Sequence, residues 1–485
     1  MFLVKKILRK YNNISIAAKA VIWFVFCNML QKCMSLITTP IFTRLMNEEQ
    51  YGQFSIYNSY LSIFTIITTL RLNYAVFNKG MSKFKNDRDG YTSTMQTITT
   101  MLTFIVFGVY LVFQKQINEL TELPSFIMFA IFAELLVTPA ISFWTLRKRY
   151  DYIYRPVVFR TLLMTVLNTI LGVIAVYFAD EKGYARIISC VFVNLCFGVT
   201  LYIYNLRKGK KIFCFQYAVF AVSFNVPLLL HYLSVYILDQ FDRIMIQKMV
   251  SFAAAGLYGV AYNVGMVIKI FTQSINNVLV PWQYDRLEKK EIAILDDTLF
   301  LIYLGLASII IMFSACAPEM MKILADKKYH EAVNVIPPVV LGLFFSFIYT
   351  TIANIELYYN QNKFTMYISM VGAALNIGLN YIGIKMFGYI AAAYTTLICY
   401  VILTAMHYLY TTHCVKMALK INKVFITGRL MLLSIAVIVI GLFVIILYDM
   451  PVIRYGMIIA GILLGNCKRS VIINTYRRIC YGGKK

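Results

Sequence analysis

Negative charge is scarce in this chain: 22 Asp and Glu stand against 46 Lys and Arg, and charged residues of both signs make up only 14% of the sequence. With 60% hydrophobic residues and a mean hydropathy of +0.70, that balance excludes a water-soluble globular domain. Histidine is rarer still, with four in 485 residues, too few to build a His-rich metal centre. The ten cysteines are scattered. Cys27, Cys33, Cys190, Cys196, Cys316 and Cys399 fall inside apolar blocks, and Cys214, Cys414, Cys467 and Cys480 fall in basic segments. No CxxC or Cys/His ligand spacing occurs, which excludes a zinc module and a disulfide framework. A Walker-type phosphate loop and a soluble stretch to carry it are also missing, so ATP hydrolysis within this chain is not expected.

What fills the sequence instead is apolar blocks of membrane-spanning length. Counting runs of roughly 20 apolar residues gives about fourteen, from 17–43 to a short last block at 452–467. They run well past the roughly 10 residues of a barrel strand and lack its alternation, so helices are expected; a helix satisfies its own backbone in lipid. The fold class expected is an all-α polytopic membrane protein.

The gaps between blocks alternate in charge. Lys5, Lys6, Arg9 and Lys10 precede the first block, Lys79, Lys83, Lys85 and Arg88 follow the second, Arg147, Lys148, Arg149 and Arg155 the fourth, and Arg207, Lys208, Lys210 and Lys211 the sixth. Extended through Arg286, Lys289, Lys290, Lys363, Lys416, Lys420, Lys423 and Arg429 to the tail, this places about 30 of the 46 Lys and Arg on one side. That side is expected to be cytoplasmic, with both termini on it. The formal charge of +24 therefore belongs to short juxtamembrane loops facing anionic lipid, and nucleic acid is not an expected partner. Residues 1–16 are expected to form an interfacial segment, and no small-residue cleavage site marks them as a removable signal.

A half-chain repeat of about 205 residues overlies this pattern. Tyr51-Gly52-Gln53-Phe54 is answered by Ala255-Gly256-Leu257-Tyr258, Leu167-Asn168 by Leu375-Asn376, and Gly183-Tyr184-Ala185 by Gly388-Tyr389-Ile390. Six blocks intervene, an even number, so the halves share one orientation. The expected organisation is an interfacial segment at 1–16, an N-lobe of six helices at 17–211, a C-lobe of six helices at 212–413, and two further helices with a basic tail at 414–485.

An ionisable group at mid-membrane costs roughly 2.5–3.5 kcal/mol even on a lenient scale and usually faces a cavity or a partner. Lys32 and Lys269 each lie about 15 residues, roughly 22 Å, into their blocks, and each is a candidate either for a structural ion pair or for a cationic cavity. Arg71, Arg160 and Lys19 lie nearer block ends, where snorkelling competes with a cavity role. Glu134 and Glu356 are candidates to pair with a lysine or to hold a coupling proton or Na⁺. Asp239, Asp242 and Arg243 are expected just outside the seventh block as a local ion pair, with gating as the rival role. His231 is expected to be a hydrogen-bonded interior residue. Cations outnumber acids among these candidates, so the expected cargo is anionic. The membrane potential favours its outward passage, by on the order of 5 kcal/mol for two charges at 100 mV.

Several segments carry a resemblance. Thr39-Pro40-Ile41-Phe42-Thr43-Arg44-Leu45-Met46 followed by Gln50-Tyr51-Gly52 resembles the junction of the first two helices in Wzx-type bacterial polysaccharide flippases of the multidrug/oligosaccharidyl-lipid/polysaccharide exporter (MOP) superfamily. Asp242-Arg243-Ile244-Met245-Ile246, Ala255-Gly256-Leu257-Tyr258, Ala261-Tyr262, Asn376-Ile377-Gly378-Leu379-Asn380-Tyr381, Gly388-Tyr389-Ile390-Ala391-Ala392-Ala393 and Thr395-Thr396 extend it through the second half. The resemblance implies two six-helix lobes alternating between inward-open and outward-open states. It also implies movement of an undecaprenyl-diphosphate-linked oligosaccharide across the bacterial inner membrane, for O-antigen, capsule or exopolysaccharide assembly. Lys32, Lys269, Arg71 and Arg160 are the cationic-cavity candidates, and Glu134, Glu356, Asp239 and Asp242 the coupling or ion-pair candidates. No cofactor beyond a coupling H⁺ or Na⁺ is implied and no catalytic residue is expected. The expected partners are the lipid-linked oligosaccharide, membrane lipids and other polysaccharide-assembly proteins. The alternatives are a multidrug or cation antiporter of the same superfamily and a polysaccharide polymerase. The longest exterior gap, about 318–334, is short for an enzyme loop that must hold two sugar chains.

Overall fold

A computed structural model describes residues 15–419 and 427–467. Among these residues every regular element is helical, and the chain divides into two compact units, Met1–Leu233 and Ser234–Lys485. Among the described residues, ten helices are long and apolar enough to cross a bilayer, or eleven if one bent pair is a single span. This is a multi-pass membrane protein. The expected blocks coincide with helices or helix pairs, but the count of fourteen spans exceeds what the described residues bear out.

The first unit runs α1 (Ile16–Leu45), α2 (Glu48–Thr69), α3 (Ala75–Lys83), α4 (Arg88–Val112), α5 (Gln114–Thr121), α6 (Ser125–Tyr150), α7 (Arg155–Phe178), α8 (Lys182–Gly209) and α9 (Phe215–Asn225). Asn47 begins α2 with a capping box: its side chain accepts from the Gln50 amide at 2.8 Å while Gln50 Oε1 accepts from the Asn47 amide at 3.1 Å. The core is aromatic, with Phe77, Tyr91 and Phe143 fully buried and Tyr217, Ala218 and Ala221 of α9 packed onto them. Residues 215–225 therefore pack with the first unit.

The second unit begins within α10 (Leu229–Met249) and continues through α11 (Phe252–Gly265), α12 (Val267–Glu288), α13 (Ile292–Ala315), α14 (Ala317–Leu324), a 3-10 turn (Lys327–Val335), α15 (Ile336–Tyr358), α16 (Asn362–Phe387) and α17 (Ala391–Leu419). The last helices are α18 (Thr427–Ile446) and α19 (Pro451–Cys467). α11 and α12 meet at a bend of 40°.

The repeat seen in the residues is a repeat of elements. Long helix, eight-residue helix, long helix recurs as α4, α5, α6 and as α13, α14, α15. In the first unit α6 and α7 both pack on α8, and in the second α15 and α16 both pack on α17. Asn168 of α7 and Asn376 of α16 each bond the following helix: Asn168 Oδ1 accepts from Arg186 at 2.9 Å, and Asn376 donates to Thr396 at 3.0 Å. The repeated glycines sit under different constraints. A Cβ on Gly183 would lie 2.2 Å from Gln53 Oε1 and 2.8 Å from the Gln50 carbonyl oxygen. Gly388 has open space around it and instead takes φ +75°, a conformation L side chains rarely adopt.

Helices α18 and α19 attach to the second unit. α18 packs on α13 and α15, and α19 packs on α13. Arg454 of α19 is 3% exposed; it donates to both Glu319 carboxylate oxygens, at 2.9 and 2.6 Å, and to the Ala315 carbonyl at 3.0 Å. The charge of α19 is thus neutralised by a residue of the gap expected to be exterior loop.

Candidate functional site

α2 ends abruptly. Leu70 and Arg71 both adopt left-handed backbone conformations, φ 46° and 53°, which cost a non-glycine residue roughly 1–2 kcal/mol each and collect at functional sites. The break is tied on both sides: Asn225 of α9 donates to the Leu70 carbonyl at 2.8 Å, and the Arg71 amide donates to Thr69 Oγ1 at 3.2 Å. The result lifts Arg71 out of helical register. Its guanidinium carbon lies 5.5 Å from the centre of the Tyr74 ring, and Tyr74 packs edge-on against Tyr232 at 5.8 Å. Arg71 Nε is buried and makes no hydrogen bond. His231, beside Tyr232, is likewise without a partner on Nδ1, whereas a hydrogen-bonded interior histidine is expected from the sequence.

Arg160 of α7 has a similar character. Its guanidinium lies 4.8 Å above Trp144, and one terminal nitrogen is buried without a hydrogen-bond partner. Neither arginine forms an ion pair among the described residues. The side chain of Lys32 lies outside the described residues.

The remaining candidates are committed to partners. Lys269 of α12 forms an ion pair with Asp239 of α10 at 2.6 Å, with both side chains 24% exposed, and Tyr400 of α17 adds a 3.3 Å hydrogen bond to Asp239. Asp242 is not in a loop: α10 continues to Met249, and Asp242 is 1% exposed within it. Nor does it form the expected pair with Arg243. Tyr258 at 2.8 Å, Asn380 at 2.7 Å and Thr396 at 3.0 Å donate to its two oxygens. Arg243 bonds Gln240 and Asn263 and lies 4.7 Å above Tyr262.

Glu134 of α6 has no lysine beside it. Tyr57 of α2 donates to one oxygen at 2.6 Å and Asn194 of α8 to the other at 2.7 Å. Glu356 of α15, fully buried, contacts His407 Nδ1 at 2.9 Å and accepts from Thr411 at 2.8 Å and Thr365 at 2.9 Å. Each buried carboxylate is therefore met by several donors of its own unit, which is what makes a charge tolerable in a low-dielectric interior.

Two residues escaped sequence reasoning. Arg186 stacks 4.2 Å over Phe42 and 5.1 Å from Phe54 while bonding Asn168; its signal was a cation inside an apolar block, three residues after a repeated glycine. His407 carried no signal in the chain, because its partner Glu356 is 51 residues away.

Residues 17–284 match the family described as "Polysaccharide biosynthesis protein". The chain belongs to this family. Two Haemophilus influenzae proteins are relatives within reach of sequence comparison. The Lsg locus putative protein 1 is 24% identical over 54% of this chain and 65% of its own length, and an uncharacterised membrane protein is 23% identical over 55% and 64%. The chain thus spans just under two thirds of the length of these curated relatives. Among solved structures, the lipid II flippase MurJ in an inward closed conformation superposes with a TM-score of 0.67 at 14% identity, covering 93% of this chain and all of that one. An inward-facing multidrug resistance MATE family transporter of the MOP superfamily gives 0.55 at 14%, covering 83% and 100%. This member of the polysaccharide biosynthesis family therefore has the fold of flippases and multidrug transporters.

Proposed function

We propose that the protein is a flippase carrying an undecaprenyl-diphosphate-linked oligosaccharide from the cytoplasmic to the outer leaflet of the bacterial inner membrane, by alternating access and without hydrolysing ATP. Membership of a polysaccharide-biosynthesis family on a flippase-type fold supports the cargo class. The observation that carries the site is Arg71. A strained break holds it out of its helix, with an unpaired guanidinium N–H, an exposed Tyr74 and a half-buried Tyr232 beside it. A guanidinium suits a diphosphate oxygen, and Tyr74 and Tyr232 offer faces to a sugar. Arg160 is assigned the same role on a smaller body of observation. Lys269 would have to leave Asp239 to meet an anion, so it is assigned to the ion pair. Both termini are assigned to the cytoplasm from the Lys/Arg asymmetry of the gaps.

The multidrug and cation-antiporter alternative shares the fold, but it calls for uncommitted acids. Glu134, Asp239, Asp242 and Glu356 are already bonded. The test is rescue: the chain is expressed in a bacterium lacking its own repeat-unit flippase, and surface polysaccharide and accumulated lipid-linked repeat units are measured. Wild type should restore export and Arg71→Ala should lose at least tenfold of it at matched membrane abundance, with Arg71→Lys intermediate because a point charge lacks the guanidinium fork. Restored export by both variants would remove Arg71 from the site. Failure of wild type across hosts with different repeat units would remove the flippase assignment.

A further inference from the structure

Three chain segments of the first unit, none of them containing Arg71, meet at one corner: residues 85–89 leading into α4, the end of α6, and residues 207–211 leaving α8. They enclose a basin of about 330 Å³ lined by Lys85, Arg88, Arg147, Lys208, Lys210 and Lys211, with Asp87 and Asp89 the acids among its walls. The volume is in the range of small-ligand sites.

The acids do not cancel the cations. Asp87 is committed to Lys211 and Tyr217, both at 3.1 Å, and to capping α4 through the Gly90 amide at 3.0 Å. Asp89 accepts from Arg147 at 2.8 Å, and Asp151 is shared between Arg147 and Arg88. Lys85, Lys208 and Lys210 form no ion pair among the described residues. The frame around them is braced. Ser93 and Thr97 of α4 donate to the carbonyls of Lys211 and Ile212, each at 2.6 Å, which pins the segment after α8 to α4. Three exposed lysines without ion pairs thus line an open concavity whose backbone is held by hydrogen bonds. A smaller chamber of about 90 Å³ adjoins it, sharing Arg147 and Lys208 and lined by Trp144 and Tyr204.

We propose that this basin is a binding site for a phosphate ester, separate from the Arg71 site and independent of what the protein carries. The gaps that build it are among the basic ones assigned to the cytoplasmic side, where such a group comes either on a lipid headgroup or on a soluble molecule. Lysine ammoniums recognise phosphate oxygens as point charges, so the interaction weakens with salt.

Trp144 on the adjoining wall supplies the readout. The full chain in nanodiscs is titrated with inorganic pyrophosphate in phosphatidylcholine, and separately compared between phosphatidylcholine and phosphatidylcholine mixed with phosphatidylglycerol, following the fluorescence change that Trp144→Phe abolishes. A saturable change is expected in at least one arm. Lys208→Gln with Lys210→Gln should weaken it roughly tenfold or more, and Lys208→Arg with Lys210→Arg should retain it. A pyrophosphate response that Lys208→Gln/Lys210→Gln weakens identifies a soluble phosphate as the ligand of the basin rather than of Arg160, which also lies against Trp144; a response to phosphatidylglycerol alone identifies the headgroup. Lys322→Gln, an exposed lysine of the second unit, should change nothing. No saturable change in either arm, or one that Lys208→Gln/Lys210→Gln leaves intact or Lys322→Gln weakens equally, overturns the site.

Discussion

Replacing Asp239 and Lys269 together by neutral isosteres, Asp239→Asn with Lys269→Met, separates a structural ion pair from a cargo-binding lysine. At 2.6 Å the bare attraction is about 6 kcal/mol for an effective dielectric constant near 20. Much of that is offset by the desolvation of two side chains that retain 24% exposure, leaving a net contribution of about 1–3 kcal/mol. Lys269→Ala alone should cost about 2 kcal/mol, because Asp239 keeps only Tyr400 and a partial solvent contact. That corresponds to a fall of on the order of 5 °C in the unfolding midpoint of a unit this size. The double neutral variant should recover most of the loss, since no uncompensated charge remains. Midpoints come from thermal unfolding of the purified protein, and export from the flippase-deficient host at matched abundance. If the double variant unfolds like wild type yet fails to export, Lys269 acts on the cargo and the structural assignment is wrong.

Three further outcomes follow from the same physics. Burial alone would raise the Glu319 carboxyl, but hydrogen bonds from Tyr455 and Arg454, with the Arg454 charge, hold it below the ordinary carboxylate range. The Arg454–Glu319 clamp should therefore be fully present at neutral pH and be lost as pH falls through that depressed value. The acid-limb loss of thermal stability should shrink in Glu319→Gln. Tyr57→Phe should destabilise by about 1–3 kcal/mol because it strips a donor from the buried Glu134, and Glu134→Gln in the same background should restore part of it. His407→Ala should cost about 2 kcal/mol or more by leaving the fully buried Glu356 with two hydroxyls, while His407→Gln retains a donor and costs less; both are read by thermal unfolding.

The membrane-spanning helices, their order and the half-chain repeat were legible because hydropathy and Gly-aromatic spacing are local. The breaks were not. α2 stops at Leu70 and Arg71 without a glycine or proline, and only Asn225, 155 residues on, reveals what holds the break. The cluster at 239–243 was misplaced for a related reason. Three charges in five residues look like the end of a membrane block, yet Asn380 and Thr396, 138 and 154 residues away, supply the bonds that let Asp242 stay inside α10. Depth along a block marked Lys269 as a candidate for either an ion pair or a cavity, and only packing could name Asp239.

Gly183 and Gly388 occupy matching places in the two halves, and a comparison of letters would treat them as one constraint kept twice. They differ in whether a second change can compensate a first. The obstacle nearest Gly183 is the end of the Gln53 side chain, so an alanine there is open to partial rescue by trimming residue 53, leaving the 2.8 Å approach of the Gln50 carbonyl as the rest of the penalty. At Gly388 the obstacle is handedness, which no neighbour can relieve. The halves of this chain can thus diverge in sequence at one repeated glycine by paired substitution while remaining locked at the other.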